Sequence, residues 1–152
     1  MELTKVSGHK TPQGVAWNPS LEELLTPKLQ VVDKKEHASG TVYAKVKDNY
    51  RKKVNIEEMY GVVLDIDKSP TDVLPMLIEA LQGYQGYINT TFSHDPKHEK
   101  YCYRAFINSE SPIKPEDYEA GFINLVNSNP ILSELKEKGI LDMSAKDVGR
   151  FF

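Results

Sequence analysis

Residues 60–70 read YGVVLDIDKSP, an apolar run that ends in Asp65 and Asp67 and forms the clearest strand pattern in the chain. A β-branched run of this length predicts a buried β-strand. Side chains in a strand alternate between its two faces, so both aspartates project to the same side, about 7 Å apart at ~3.3 Å per residue. Such close carboxylates repel each other, and Mg²⁺ or Mn²⁺ is a natural partner for both. A solvent-exposed strand end before a turn explains an isolated pair of aspartates equally well.

Length and composition indicate a globular protein. The chain has 152 residues, of which 27% are charged and 39% hydrophobic, and its net charge is −3. One domain is expected at this length. Cys102 is the single cysteine, which excludes an internal disulfide, and no run reaches the roughly 18 apolar residues of a membrane span. We therefore expect an intracellular protein with no membrane partner. The net charge excludes a uniformly basic nucleic-acid coat but leaves local basic clusters.

The pattern after residue 60 predicts an ordered series of elements. They are a helix over 70–81, strands over 87–94 and 101–107, a helix over 115–138 interrupted near 127–130, and a last strand over 148–152. The order strand, helix, strand, strand, helix, strand is that of an RRM-like or ferredoxin-like βαββαβ sheet of the α+β class. One face of such a sheet carries the helices, so the other face is available for chemistry.

The first part of the chain predicts a smaller α/β extension. Ser20 with Glu23 three residues later is the pattern of a capped helix start, and residues 42–46 predict a short strand. We expect Trp17 to pack as an anchor beneath the later sheet. We interpret residues 1–152 as a single domain, with an extension over 1–55 and a catalytic core over 56–152.

Basic and polar candidates lie on the second and third predicted strands. The second strand ends in TTFSH, where Ser93 and His94 are candidate phosphate contacts, although a lone histidine at a strand end is more often a surface residue. Arg104 lies in the middle of YCYRAFI, and a guanidinium among apolar residues must find a partner. On an open sheet face Arg104 could bind a triphosphate through two parallel hydrogen bonds.

Carboxylates recur near the end of the sequence, in LDMSAKDVGRFF. Asp142 follows a helix-ending glycine and could bring a third carboxylate to the first pair, while Asp147 and Arg150 are further candidates for the same site. Each aspartate alone is unremarkable, because loops between helices and strands often contain Asp. The combination with the first two motifs favours a metal site.

The order of these motifs resembles the catalytic core of the archaeo-eukaryotic primase superfamily, in particular the primase-polymerase domains of plasmid, phage and mobile-element replication proteins. VVLDID is similar to the hhhDxD strand of that family, TTFSH to its strand-end histidine motif, and LDMSAKDVGRFF to its final motif. The resemblance covers roughly residues 51–152. The serine of TTFSH is adjacent to the histidine rather than two positions before it. Related proteins continue further, often into a helicase, and one interpretation is that this chain is a fragment of a longer replication protein.

The resemblance implies a DNA primase or polymerase, a nucleotidyltransferase with Mg²⁺ or Mn²⁺ as cofactor. Asp65, Asp67 and Asp142 would hold two metal ions, and His94 with Arg104 would bind the phosphates of an NTP or dNTP. A 3′-hydroxyl would then attack the α-phosphate, with a single-stranded DNA template as partner. Basic residues before and after the core strands become candidate template contacts through phosphates, namely Arg51, Lys52 and Lys97.

Two other functions are compatible with the same residues. DIDKS matches the opening motif of haloacid dehalogenase-type phosphatases, in which Asp65 would be the nucleophile and Asp67 the acid, although that fold needs several further βα units. A catalytically inactive primase-like sheet could instead bind single-stranded nucleic acid, with Tyr101, Tyr103 and Phe106 stacking on bases.

Overall fold

The computed structural model describes residues 2–7, 11–26, 32–35 and 39–148. The protein is a mixed α+β structure with curled antiparallel sheets, which confirms the predicted class. The strands are β1 (Leu3–Val6), β2 (Gly14–Trp17), β3 (Gly40–Val42), β4 (Ala44–Val46), β5 (Ile56–Ser69), β6 (Gly86–Thr90) and β7 (Tyr101–Ile113). The α-helices are α1 (Leu21–Leu25), α2 (Leu74–Ala80), α3 (Pro115–Ser128) and α4 (Pro130–Glu137). No helix in the described ranges is long and apolar enough to cross a membrane.

The strands form two sheets. One sheet has the order β2-β1-β3 and the other has the order β4-β5-β7-β6. The chain divides into two compact units, each assembled from separate stretches. Unit 1 comprises Met1–Gly61, Ser109–Tyr118 and Asp147–Phe152, and unit 2 comprises Val62–Asn108 and Glu119–Lys146. This division does not follow the predicted boundary between residues 55 and 56.

Unit 1 contains the three-stranded sheet and the pairing of β4 with the start of β5. In β1, Thr4 and Val6 lie on a face in the core, and on the other face Lys5 is exposed but Leu3 is buried. Thr4 is satisfied by donating from Oγ1 to Asn49 Oδ1 at 3.1 Å. The chain then changes sheets at Tyr43, because β3 pairs with β1 whereas β4 pairs with β5.

Unit 2 contains the rest of β5, most of β7 and the helices α2 and α4. Its core includes Leu64, Ile66, Leu77, Leu132 and Leu135, none of which is more than 1% exposed. Burial of these side chains on strands and helices is the main stabilising term for this unit.

Local sequence explains where two helices of unit 2 begin. Asp72 Oδ1 accepts a hydrogen bond from the Leu74 N–H at 2.9 Å, and the side chain of Asn129 accepts from the N–H groups of Ile131 and Leu132. Pro130 at the first position of α4 removes a donor that would otherwise lack a partner. The predicted interruption near 127–130 is confirmed, since α3 ends at Ser128 and α4 begins at Pro130.

Several sequence predictions differ from the structure. The strand predicted over 42–46 is two strands in different sheets, and β1 and β2 were not predicted. Trp17 is half-buried with the Lys5 ammonium over its ring, and its role as an anchor beneath the later sheet stays a prediction. The predicted last strand, 148–152, lies outside the described residues except for Val148. The edge beside β5 carries instead an isolated antiparallel bridge between Ile66 and Leu141.

Candidate functional site

The centre of the candidate site is an ion pair between neighbouring strands of unit 2. Arg104 on β7 donates from Nε and Nη2 to Asp65 Oδ1 on β5, at 3.1 and 3.0 Å. The Asp65 side chain is 10% exposed and that of Arg104 is 26% exposed, so the pair is largely shielded from water. The partner that the Arg104 guanidinium needs is therefore a carboxylate of the predicted metal pair.

A backbone bridge brings the third predicted carboxylate to this position. The Asp142 N–H donates to the Asp65 carbonyl at 2.8 Å, and the Asp67 N–H donates to the Ile140 carbonyl at 3.3 Å. Together with the Ile66–Leu141 bridge, these bonds place Asp142 directly opposite Asp65. Residues opposite each other in an antiparallel pair project to the same face. Asp65, Asp67 and Asp142 therefore share one face of the sheet.

The end of α4 sets the direction of the segment that contains Asp142. Gly139 has φ +68°, a left-handed conformation that glycine adopts without steric penalty. The chain then runs extended past Leu141, which is 3% exposed. A short 3-10 helix, Met143–Lys146, follows at once, and the N–H and hydroxyl of Ser144 donate to Asp142 Oδ1 at 2.9 and 2.7 Å.

The hydrogen-bond donors Arg104 and Ser144 contact carboxylate oxygens that the predicted metal ion would need. Among the described residues, no group of three or more His, Cys, Asp or Glu side chains is arranged to hold a metal ion. One oxygen of Asp65 accepts from Arg104 and one oxygen of Asp142 accepts from Ser144. Carboxylate oxygens are the type of ligand that Mg²⁺ and Mn²⁺ prefer, but in this structure the three side chains do not converge on one position. A metal ion would compete with Arg104 and Ser144 for these oxygens.

His94 lies on the side of the strand away from Arg104. Its ring packs against Tyr103 and Tyr101, with centroid distances of 5.0 and 5.9 Å. Because side chains alternate along β7, these two tyrosines project to the face opposite Arg104. The His94 Nδ1 lies 3.2 Å from both the N–H and the carbonyl oxygen of Cys102, so the tautomer decides which bond forms. The structure therefore does not bring His94 and Arg104 together on one face.

A hydrogen-bonded pair beside His94 was not found from the sequence. The Tyr103 hydroxyl donates to Asp72 Oδ1 at 2.7 Å. This hydrogen bond and the one from the Leu74 N–H lower the pKa of Asp72, and burial raises the pKa of Tyr103 to about 12. The position of Asp72 just before α2, where N–H groups lack helical partners, was the signal that could have identified it as a hydrogen-bond acceptor.

The loop predicted to contact phosphates is exposed. Lys97 lies in a short 3-10 helix, Pro96–His98, and Ser93 is half-buried with its carbonyl 3.6 Å from Cys102 Sγ. Asp95 and His98 pair at 2.6 Å, and this hydrogen bond lowers the pKa of Asp95.

The remaining candidates belong to unit 1. Asp147 forms an ion pair with Lys53 at 3.5 Å. The Lys52 ammonium lies 5.1 Å from the centroid of the Tyr50 ring, and the Arg51 N–H donates to the Pro12 carbonyl. Arg150 lies outside the described residues.

The predicted stacking platform on β7 needs a correction. Tyr103 is 4% exposed and Phe106 is 1% exposed, so neither ring face is open to a base. Only Tyr101 of the three is half-buried. Tyr103 and Phe106 project to opposite faces of β7 as predicted, but both side chains are buried.

Comparison of the chain with protein-family models, curated proteins and solved structures found no match.

Proposed function

We propose that this protein is a primase-polymerase, which transfers nucleotides from NTP or dNTP to a 3′-hydroxyl under the direction of a single-stranded DNA template. The observation that carries the proposal is the 2.8 Å bond from the Asp142 N–H to the Asp65 carbonyl. It aligns a carboxylate from a distant part of the chain with the Asp65 and Asp67 pair. Three carboxylates on one face are the ligand set expected for two-metal nucleotidyl transfer.

The order of the strands supports the same proposal. In an RRM-like βαββαβ sheet the first strand lies between the third and the fourth, and the second strand lies at the opposite edge. Here β5 neighbours β7, β7 neighbours β6, and the segment around Leu141 runs antiparallel beside β5. This arrangement supports an RRM-like sheet as part of the proposal, with β4 as an additional strand beside β5.

Asp65, Asp67 and Asp142 would hold Mg²⁺ or Mn²⁺. Such ions, when bound, lower the pKa of a hydroxyl nucleophile and stabilise charge on phosphate oxygens. The carboxylates themselves fix the position of this charge, since two lie on the same strand and the third is held by backbone hydrogen bonds. Their rigidity is the contribution of the fold, because misplaced ligands lose much of the catalytic effect.

Arg104 would bind the triphosphate. Its guanidinium matches phosphate oxygens in a bidentate geometry. In the structure it neutralises Asp65. When cations bind Asp65, the guanidinium can turn to the negative charge of the nucleotide without leaving the same face of the sheet.

The predicted phosphate and template contacts outside the carboxylate site stay predictions. With Nδ1 held by the Cys102 backbone, His94 has Nε2 as the nitrogen for a ligand, and its contact with nucleotide remains a prediction. Ser93, Lys97 and Arg51 also remain predicted contacts. A helicase partner and an intracellular location belong to the proposal as well.

The decisive experiment compares two aspartates. Asp142→Asn should abolish Mn²⁺-dependent extension of a primer on single-stranded DNA, because it removes a charged ligand while leaving its backbone bridge intact. The matched control is Asp147→Asn, which removes the exposed partner of Lys53 and should keep full activity. Activity that survives in Asp142→Asn contradicts the assignment. Hydrolysis of a generic phosphomonoester by the wild type would favour a phosphatase instead.

One observation favours a second candidate, a sheet that binds single-stranded nucleic acid without catalysis. Asp65 is engaged by Arg104 at 3.0 Å, as in a purely structural ion pair. A protein of this kind would bind single-stranded DNA equally well with and without divalent cations. It would also show no nucleotide incorporation in the wild type.

A further inference from the structure

The three-stranded sheet of unit 1 has one buried face and one face that is exposed around Lys5 and Val15. Thr4, Val6 and Val42 lie on the buried face, each no more than 2% exposed. Alternation along β1 puts Lys5 on the other face, and the antiparallel register puts Val15 of β2 directly opposite it. On this second face Val15 is 65% exposed and Lys5 is exposed, whereas Leu3, opposite Trp17, is buried.

Trp17 lies on this second face with a cation over its ring. It is two residues from Val15 on β2 and therefore projects to the same side. The Lys5 ammonium is 3.6 Å from the centroid of the Trp17 ring. The contact is diagonal, since the register pairs Lys5 with Val15.

A second ring and a second cation extend the same face. Gln13 forms an antiparallel bridge with Tyr50, which puts the Tyr50 side chain on the side of Gln13 and Trp17. The Lys52 ammonium lies beside this ring, 5.1 Å from the Tyr50 ring centroid. The four residues from Gln13 to Trp17 set a spacing of about 13 Å between the two ring positions at ~3.3 Å per residue.

We call this surface the aromatic-basic face, and it consists of Lys5, Gln13, Val15, Trp17, Tyr50 and Lys52. It contains two positive charges and two rings, and none of its six members is acidic. Proteins that bind single strands combine cations that follow the phosphates with rings on which bases stack. A neutral or basic protein partner would gain nothing from the two ammonium groups.

We propose that the aromatic-basic face binds single-stranded nucleic acid, with bases stacking on Trp17 and Tyr50 and phosphates contacting Lys5 and Lys52. Contacts between exposed ammonium groups and rings are weak, so each lysine can leave its ring for a phosphate while a base takes its place. Duplex bases are stacked on one another and cannot lie flat on these rings. As a template-strand contact the face rests on the proposed function, whereas the binding itself does not.

The intrinsic fluorescence of the protein provides a direct test. Trp17 is the single tryptophan, so titration with a short oligothymidylate should quench the fluorescence of the wild type. Trp17→Ala should weaken binding about tenfold or more, measured by the anisotropy of a labelled oligonucleotide. The double variant Lys5→Gln/Lys52→Gln should reduce the slope of log K against log salt by about 1.4, because each phosphate contact on a single strand contributes about 0.7.

Matched controls lie on the other unit. Tyr84 is an exposed aromatic residue, at 53%, and the side chain of Lys138 is 54% exposed. Tyr84→Ala and Lys138→Gln should leave the affinity and the salt slope unchanged. Circular dichroism checks that each variant folds, and if Trp17→Ala does not, the double lysine variant carries the test because both lysines are exposed.

The outcomes separate this inference from the proposed function. Asp65→Asn/Asp67→Asn should lose nucleotide incorporation and keep the quenching. Quenching without any incorporation by the wild type would refute the enzyme and support the binding face. RNA of the same sequence that competes equally supports a general single-strand surface, whereas tighter binding of duplex DNA overturns it. Absence of quenching, or wild-type affinity and salt slope in the double lysine variant, also overturns it.

Discussion

Asp65 and Asp67 are two residues apart, and we predict that asparagine at each position affects stability differently. Asp65 accepts two hydrogen bonds from Arg104, whereas Asp67 is exposed. Breaking a fully buried ion pair costs about 3–5 kcal/mol, and exposed pairs contribute at most about 1 kcal/mol. With side-chain exposures of 10% and 26%, the Asp65–Arg104 pair lies between these limits. An asparagine oxygen would still accept from Arg104 but without charge.

We therefore expect Asp65→Asn to lower the free energy of unfolding by about 2 kcal/mol. At about 2–4 °C per kcal/mol for a chain of this size, the Tm should fall by roughly 4–8 °C. Asp67→Asn should stay within about 0.5 kcal/mol of the wild type. Urea denaturation followed by circular dichroism measures both values, and primer extension should be lost in both variants.

The two readouts test different statements. Equal stability of the two variants would refute the conclusion that the Asp65–Arg104 pair is shielded and contributes to folding. Loss of activity in Asp65→Asn alone, with an active Asp67→Asn, would refute a shared catalytic role. An m-value that changes in either variant would signal a change in the unfolded or native state rather than a lost contact.

Three further predictions concern unit 2 and the tyrosines. Tyr103→Phe removes the hydrogen bond to Asp72 and should destabilise the protein by about 1–2 kcal/mol at neutral pH. Because that bond lowers the pKa of Asp72, the stability it contributes is present above about pH 3.9 and is lost as the pH falls through the lowered pKa. Urea denaturation should therefore show the stabilities of the wild type and the variant converging in acid. Burial raises the pKa of Tyr103 and of Tyr60 to about 12. The contribution of each neutral hydroxyl to the stability of the folded protein is therefore present below the ordinary tyrosine pKa of about 10 and is lost as the pH rises through 12. A spectrophotometric titration should show one late phenolate fewer in Tyr60→Phe and in Tyr103→Phe. Gly86→Ala would place a Cβ against the Phe106 carbonyl oxygen of β7 and should destabilise the protein by about 1–3 kcal/mol in thermal unfolding, whereas Gly121→Ala, with open space around it on α3, should be neutral or stabilising.

The central strand and the helices after it could be predicted because their signals are local. GVVLDID is β-branched, and the break between α3 and α4 follows from Asn129 and Pro130. Helix α2 was predicted to start at residue 70 but starts at Leu74, because the Ser69 hydroxyl donates to the Thr71 carbonyl and holds a turn before it. The α+β class followed from these elements alone.

The sheet of unit 1 could not be predicted in the same way. Its strands are three or four residues long, and β1 pairs with β3 across about thirty intervening residues. Strands this short carry little periodicity, and their pairing depends on partners that are distant in sequence. The residues on them that we propose for nucleic-acid binding, Lys5 and Trp17, were therefore missed or given the role of an anchor.

The candidate site shows the same division. Alternation placed Asp65 and Asp67 on one face correctly, and the need of Arg104 for a partner was recognised. That Asp65 is the partner, and that Asp142 rather than Asp147 lies opposite it, depends on register between distant segments. Register between non-local strands is set by packing and turns rather than by any short motif.

The division of β5 at Gly61, with three stretches of chain in unit 1 and two in unit 2, bears on how the protein acquires its structure. Neither unit is a contiguous stretch of chain, so no single cut divides the chain into two intact units. High sequence separation between contacting residues slows folding, because the entropy of closing long loops is lost before the contacts form. We expect a single slow refolding phase reported by both units. We also expect fragments of this chain to fold poorly on their own.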